Sequence, residues 1–381
     1  MNNNLTIDQS SNQSNDQSKD QDNFWFKLKK PIFGLSPMDG VTDHPYRFIQ
    51  KKYGKPAVIY TEFTNVEGLC HGAATLLKDF IYDETQRPIV AQIYGKTPEY
   101  FRQTAVIVSQ LGFDGIDINM GCPAKSVDHS GSGAALIQTP ALAQEIIKAT
   151  KLGIQDYVEG KRAKDCDDIS EAISKKVEQL HQLLPKKYQK ARLIPVSVKT
   201  RIGYSNVIVE EWITTLLEMK PAAIAIHGRT LKQQYSGNAN WNEIKKAADL
   251  CHQTKTLILG NGDVQNFQDA QRKINDYDVD GVLIGRATFG NPFIFIDSQD
   301  NKKNQDNKAT SHKTIFNVAL EHSQVFEQTY SNNPRYNFLP MRKHLGWYVR
   351  SISNAKIVRA DLFKTNCAKE VKSILKKYKL L

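Results

Sequence analysis

Short runs of apolar, β-branched residues recur along residues 31–297. Each closes on a polar or glycine-containing sequence: 32–36, 58–62, 89–93, 115–119, 196–200, 223–227, 256–261 and 281–285. Unbroken apolar runs of this length suit strands buried on both faces, the condition of a parallel sheet. From one run's last residue to the next, the steps are 24 to 34 residues, apart from one of 81. The common step is close to the ~30 residues of a strand–helix–strand unit. Helical apolar spacing over 98–111 and 209–219 fills two of the gaps. Eight strands alternating with helices predict an α/β fold, a TIM (β/α)8 barrel, although periodicity alone leaves a doubly wound sheet open.

The long step holds a helix to about Thr150 and then a charged span, 151–193. An apolar stripe at Ile169, Ile173, Val177, Leu180 and Leu184 marks an amphipathic helix there, read as a structural insertion on the barrel's flank. Residues 1–30 are expected to be a disordered polar tail and lead-in, and 298–311 (SQDNKKNQDNKATS) a solvated linker. Beyond the linker, 314–328, 336–351 and 367–378 have helical spacing, so a small all-helical domain over 312–381 follows the barrel. Its aromatics Phe316, Phe326, Trp347 and Tyr348 are expected in its core.

Charge separates these parts. The chain of 381 residues has a net charge of +11, and 312–381 holds 13 Lys+Arg against 4 Asp+Glu, a net +9. A polyanion such as nucleic acid is one explanation and a merely cationic domain is another. No run approaches the ~18 apolar residues of a membrane span, and the polar N-terminus has no apolar signal region. Five scattered cysteines without a CxxC pair argue against a disulfide framework or a structural zinc, and for a reducing cytoplasm.

In a TIM barrel the active site lies at the strands' C-terminal ends, and here those ends are rich in chemistry. Glycine lets backbone N–H groups approach an oxyanion after strands 7 and 8, so Gly262 and Gly285 with Arg286 suit a phosphate. The alternative for 260–263 (GNGD) is a turn in which Asp263 caps the next helix. Lys199 brings a cation to a group that gains negative charge, unless it pairs with Glu62 or Asp117. Gln92 offers donor and acceptor to a flavin or pyrimidine edge, or satisfies the core. His227 is ambiguous until Arg229 follows it. Cys122, between Gly121 and Pro123, is the candidate acid or nucleophile; a thiol pKa of ~8.5 leaves it protonated at neutral pH. Cys70, Cys166, Cys251 and Cys367 are packing or surface residues. The run 131–135 (GSGAA) lacks a third glycine and a preceding strand, so it reads as a flexible loop rather than a dinucleotide site.

Taken together, 37–43 (PMDGVTD), 119–123 (NMGCP) with 131–136, 196–203, 227–241 (HGRTLKQQYSGNANW), 260–264, 281–292 and 342–348 (RKHLGWY) resemble the bacterial tRNA-dihydrouridine synthases. The resemblance spans residue 31 to the C-terminus apart from insertion and linker. It implies an FMN enzyme that uses NADPH to reduce a uridine in tRNA to dihydrouridine. By that resemblance Pro37, Met38, Asp39, Gln92, Lys199, His227, Asn261, Gly262, Asp263, Gly285 and Arg286 hold FMN. Asn119, Arg201 and Arg229 lie near the target base, as does His227, and no metal is involved. Reduced flavin gives hydride to C6 and Cys122 protonates C5. Arg342, Lys343, Arg350, Lys356 and Arg359 are the expected RNA contacts of a monomeric enzyme. Asp39 departs from the family, which usually has a small residue there. A small-molecule flavin oxidoreductase is the rival reading, but it has no use for a +9 helical domain.

Overall fold

The computed structural model describes residues 23–297 and 312–381. Eight parallel strands form one sheet: β1 (Ile32–Leu35), β2 (Ile59–Asn65), β3 (Ile89–Tyr94), β4 (Gly115–Met120), β5 (Val196–Arg201), β6 (Ala223–His227), β7 (Leu257–Asn261) and β8 (Gly281–Ile284). From β2 to β8 each pairs with the next in sequence, and β8 returns to β1. The ring closes where Leu35 N–H donates to Val58 O at 3.0 Å and Ala57 N–H to Phe33 O at 2.8 Å. The doubly wound alternative is an open sheet, so this closure excludes it. Strands β4 and β6 are buried at every position, as two covered faces require.

Around the strands run α1 (His44–Gly54), α2 (Val66–Cys70), α3 (Pro98–Gln110), α4 (Lys125–His129), α5 (Pro140–Val158), α6 (Glu171–Leu183), α7 (Lys186–Gln189), α8 (Val209–Glu218), α9 (Trp241–Cys251) and α10 (Phe267–Tyr277). Local sequence sets their starts. Asp43, Asn240 and Asn266 cap α1, α9 and α10 through backbone N–H groups of the first turn, and Pro98 and Pro140 open α3 and α5. Helix α5 continues to Val158 instead of ending near Thr150, so the start of 151–193 is still barrel helix. The rest lies on α3: Gln110 Nε2 donates to Glu178 at 2.9 Å and Gln103 Nε2 to Asp168 at 2.7 Å. Ile169, Ile173 and Val177 are buried beneath.

Residues 1–22 of the expected tail and all of the expected linker 298–311 lie outside the described residues. The remainder of the lead-in has a role that composition did not reveal. Trp25 is 1% exposed and packs with Val58, Tyr60, Val90, Ala225, Leu259 and Leu283, filling the barrel's N-terminal end.

Four helices close the chain: α11 (His312–Tyr330), α12 (Leu339–Tyr348), α13 (Ala355–Leu362) and α14 (Ala368–Lys377). The sequence reading had no counterpart to α13. Phe316, Phe326, Leu345, Tyr348, Val358 and Leu375 form a core that also takes in Ile49 of α1, so the helices are seated on the barrel. Trp347, expected in that core, is only partly buried and stacks on Phe289 of the barrel, with ring centroids 3.9 Å apart and planes 7° off parallel. Among the described residues no helix is long and apolar enough to cross a membrane, and no group of three metal-ligating side chains assembles.

Candidate active site

A cavity of about 1310 Å³ opens at the C-terminal ends of the strands. The strand register explains why its lining converges: Asn119 pairs with Lys199, Arg201 with His227, and His227 with Asn261. Pro37, Met38, Asp39, Gln92, Asn119, Cys122, Lys199, Arg201, His227, Arg229, Asn261, Gly262, Asp263, Gly285 and Arg286 all line it. Phe63, Lys125, Tyr235 and Phe289, which the sequence reading gave no part in the site, line it as well.

Cys122 sits on the loop after β4 and is 8% exposed. The loop is fixed from three sides. Asn119 Oδ1 accepts from the N–H of Gly121 at 3.0 Å and of Cys122 at 2.9 Å. Arg201 Nε donates to Gly121 O at 2.6 Å, and Ala134 N–H to Cys122 O at 3.4 Å. The last bond comes from a buried turn of 3-10 helix, Gly133–Gln138, so the expected flexible loop is a packed support. Gly133 has φ +62, and a Cβ there would come within 2.8 Å of Val127 Cγ1; glycine makes this approach possible. Burial pushes the Cys122 thiol up and the Asp39 charge adds to this, while the Ala124 backbone and then Arg201 and Lys199 only partly oppose it. The group is a protonated thiol at neutral pH.

Beneath it lies a polar layer. Asp117 accepts from Gln92 Nε2 at 2.7 Å and from Ser197 Oγ at 2.6 Å, while Gln92 Oε1 accepts from Asn119 Nδ2 at 3.1 Å. Gln92 is therefore oriented by the core, as its second alternative had it, and it also lines the cavity. Burial lifts the Asp117 carboxyl to about 6 against those hydrogen bonds and Lys199. The signal for Asp117 was one acid inside an otherwise apolar strand. Lys199 forms no ion pair among the described residues. Burial, then the Arg201 charge, brings its ammonium down to about 8, with Asp117 and Cys122 opposing.

The far wall is a chain of charges. Arg229, 2% exposed, reaches both carboxylate oxygens of Asp263 at 2.6 and 3.1 Å, and Arg286 reaches Asp263 at 2.9 Å. Asp263 is thus the hub of this wall; the cap of α10 is Asn266. Arg286 also lies over the Tyr235 ring, 5.3 Å from its centroid. Burial and the charges of Arg201, Lys199, Arg229 and Arg286 hold His227 well below the usual imidazole range, so it is a neutral donor or acceptor. Gly262 has φ +124, and a Cβ on it would stand 2.7 Å from Ala239 Cβ and 2.9 Å from His227 Cδ2. Gly262→Ala is expected to displace His227 and cost about 1–3 kcal/mol in stability, read as a lowered unfolding midpoint together with weakened cofactor uptake.

The residues fit a flavin mononucleotide. The volume exceeds the roughly 300–1,000 Å³ of a pocket for one small ligand, leaving room for a cofactor and a nucleobase. Arg286 and the turn at Gly262 offer an anion site beyond β7 and β8, and Lys199 is a partnerless cation facing the interior. Asp39 is exposed at the rim.

The expected RNA contacts are distributed unevenly. Arg342 Nε donates to Thr365 O at 2.9 Å, Lys343 Nζ to Gly40 O, and Arg350 Nη2 to Phe289 O at 2.6 Å. Arg359 is partly buried and Lys356 is exposed.

The dihydrouridine synthase family model matches residues 34–183 and 168–380. A protein of Bacillus subtilis (strain 168) named "Probable tRNA-dihydrouridine synthase 2" is 33% identical over 360 residues, 93% of this chain and 96% of its own. One of Staphylococcus aureus (strain COL) named "Probable tRNA-dihydrouridine synthase" is 31% identical over 363 residues, 94% of this chain and 96% of its own. A solved structure, histamine dehydrogenase from Rhizobium sp. 4-9, is 11% identical, covering 78% of this chain and 49% of its own at TM-score 0.47.

Proposed function

Since this chain belongs to the dihydrouridine synthase family, we propose that it reduces a uridine in tRNA to 5,6-dihydrouridine, with FMN as cofactor and NADPH as reductant. One observation supports this reading above the rest: a protonated thiol, Cys122, and an unpaired ammonium, Lys199, line the same cavity. Pro37, Met38, Gln92, Lys199, Asn261, Gly262, Gly285 and Arg286 would hold FMN, which when bound supplies the hydride that uracil C6 requires.

The chain's own residues supply the rest. Adding hydride at C6 leaves enolate-like charge over C5 and O4. Lys199 and Arg201 place positive charge beside it, and neutral His227 offers a hydrogen bond. Cys122 holds the proton for C5 on a loop that Asn119 and Arg201 keep still. The base must leave the RNA stack, at a cost of a few kcal/mol. Burial keeps Cys122 protonated, with the Asp39 charge adding to it, and Asp39 is exposed at the cavity rim. We take the enzyme as cytoplasmic and monomeric, as its sequence leads one to expect, and its five cysteines are free.

Lys199 sets an alkaline limit. With its ammonium at about 8, kcat/KM is expected to fall as pH rises through that value and the cation is lost. Lys199→Arg should move the limb upward; a profile identical in the two proteins would remove Lys199 from the ionisations that matter. The decisive test of the function is incubation with FMN, NADPH and tRNA free of dihydrouridine, followed by mass analysis of the nucleosides. No gain of two hydrogens on any uridine would refute it.

A further inference from the structure

We propose that Lys343 and Arg350, expected from the sequence to touch RNA, are positioning residues of the cofactor site, holding its two framing loops from the C-terminal helices. The loop after β1 carries Pro37, Met38 and Asp39 into the cavity. Its Gly40 C=O accepts from Lys343 Nζ of α12, which ties the loop to the C-terminal helices. Gly40 has φ +67, and a Cβ there would lie 3.3 Å from Lys343 Nζ. The loop after β8 carries Arg286, Ala287 and Phe289 to the same cavity. Arg350 Nη2 donates to Phe289 O at 2.6 Å, and Trp347 of α12 stacks on the Phe289 ring. At Gly290 a Cβ would come within 2.4 Å of Trp347 O.

The two loops also meet each other, since a Cβ on Gly285 would stand 3.4 Å from Met38 Sδ. One helix and the residue two places beyond it therefore fix a continuous stretch of the cavity wall. An RNA phosphate would find little to attract it at Lys343. That ammonium ends on a carbonyl, and its field already acts on the carboxyls of Asp43 and Glu62. A charge-assisted bond to backbone, spanning two parts of the fold, is the means by which a side chain fixes a loop rather than a mobile ligand.

This inference rests on the cavity being an FMN site. Lys343→Gln, Lys343→Arg and Arg350→Gln are made in the full chain, with flavin fluorescence for FMN affinity, thermal unfolding, and tRNA binding against salt. The FMN dissociation constant is expected to rise about tenfold in Lys343→Gln and Arg350→Gln, the worth of one hydrogen bond to a charged group. Lys343→Arg should restore it, and the salt slope of tRNA binding should stay unchanged. A slope reduced by about one per cation with FMN affinity intact would make these residues RNA contacts and overturn the proposal. So would unaltered FMN affinity in both Gln variants, or a loss in Lys343→Gln that Lys343→Arg does not restore. Wild-type chain that takes up no FMN refutes the cofactor reading itself, an outcome separate from any of these.

Discussion

Cys122→Ala is expected to lower dihydrouridine formation by about 10²–10⁴-fold, the range for a positioned general acid, while FMN and tRNA remain bound. The size follows from how little else the substitution disturbs. Asn119 and Arg201 bind the loop through backbone N–H and C=O groups, not through sulfur. The Cβ that faces Gly133 is retained in alanine, so the loop and its supporting turn keep their packing. What disappears is one proton on one atom. The neighbours have other roles: His227 is neutral, and at its strand end Lys199 serves as a cation whose charge is needed while negative charge builds on the ring. Nucleoside mass analysis of product, with flavin absorbance and tRNA retention measured on the same variant, checks this. Turnover equal to wild type would remove Cys122 from the role of acid; loss of flavin together with activity would show that the thiol instead shapes the cofactor pocket.

The barrel could be read from sequence because parallel strands are buried on both faces, and β-branched runs such as 223–227 are the direct imprint of that burial. The strand ends were legible for a related reason. Lysine, histidine and cysteine directly after such runs must emerge at one face of the barrel, and they do. Where tertiary packing overrides local composition, the sequence misled. Residues 131–135 look flexible because they are glycine- and serine-rich, but their small size is what lets the turn pack under Cys122. Trp25 lies next to a polar tail, and only the barrel's open end gives it a place. Helix α13 is eight residues long, with just Val358 and Leu362 buried, too short a stripe to stand out. Charge along a helix says still less about direction: Arg342, Lys343 and Lys356 are equally cationic on paper, and only tertiary packing separates them, Arg342 turning to Thr365, Lys343 to Gly40 of the barrel and Lys356 to solvent.

Affinity for tRNA is expected to fall by about 10³–10⁵-fold between 50 and 200 mM salt, provided that six to ten phosphates are neutralised. Three of the five cations expected at the RNA are bonded to the protein's own backbone, so the supply must come from elsewhere. The exposed side chains of Arg335, Lys356, Lys364, Lys369, Lys372 and Lys376 in the C-terminal segment, with Lys125 at the cavity rim, are enough for that count. Each phosphate contact contributes about −0.9 to the slope of log K against log salt on a duplex and about −0.7 on a single strand. Lys356→Gln should therefore shift the slope by close to one unit without touching FMN affinity, the reverse of what Lys343→Gln does. Filter binding or fluorescence anisotropy over that salt range checks both. A flat response would mean that no extended polyanion is held, and would return the chain to the rival reading of a flavin oxidoreductase for a small pyrimidine-like substrate, leaving the +9 of its C-terminal segment unexplained.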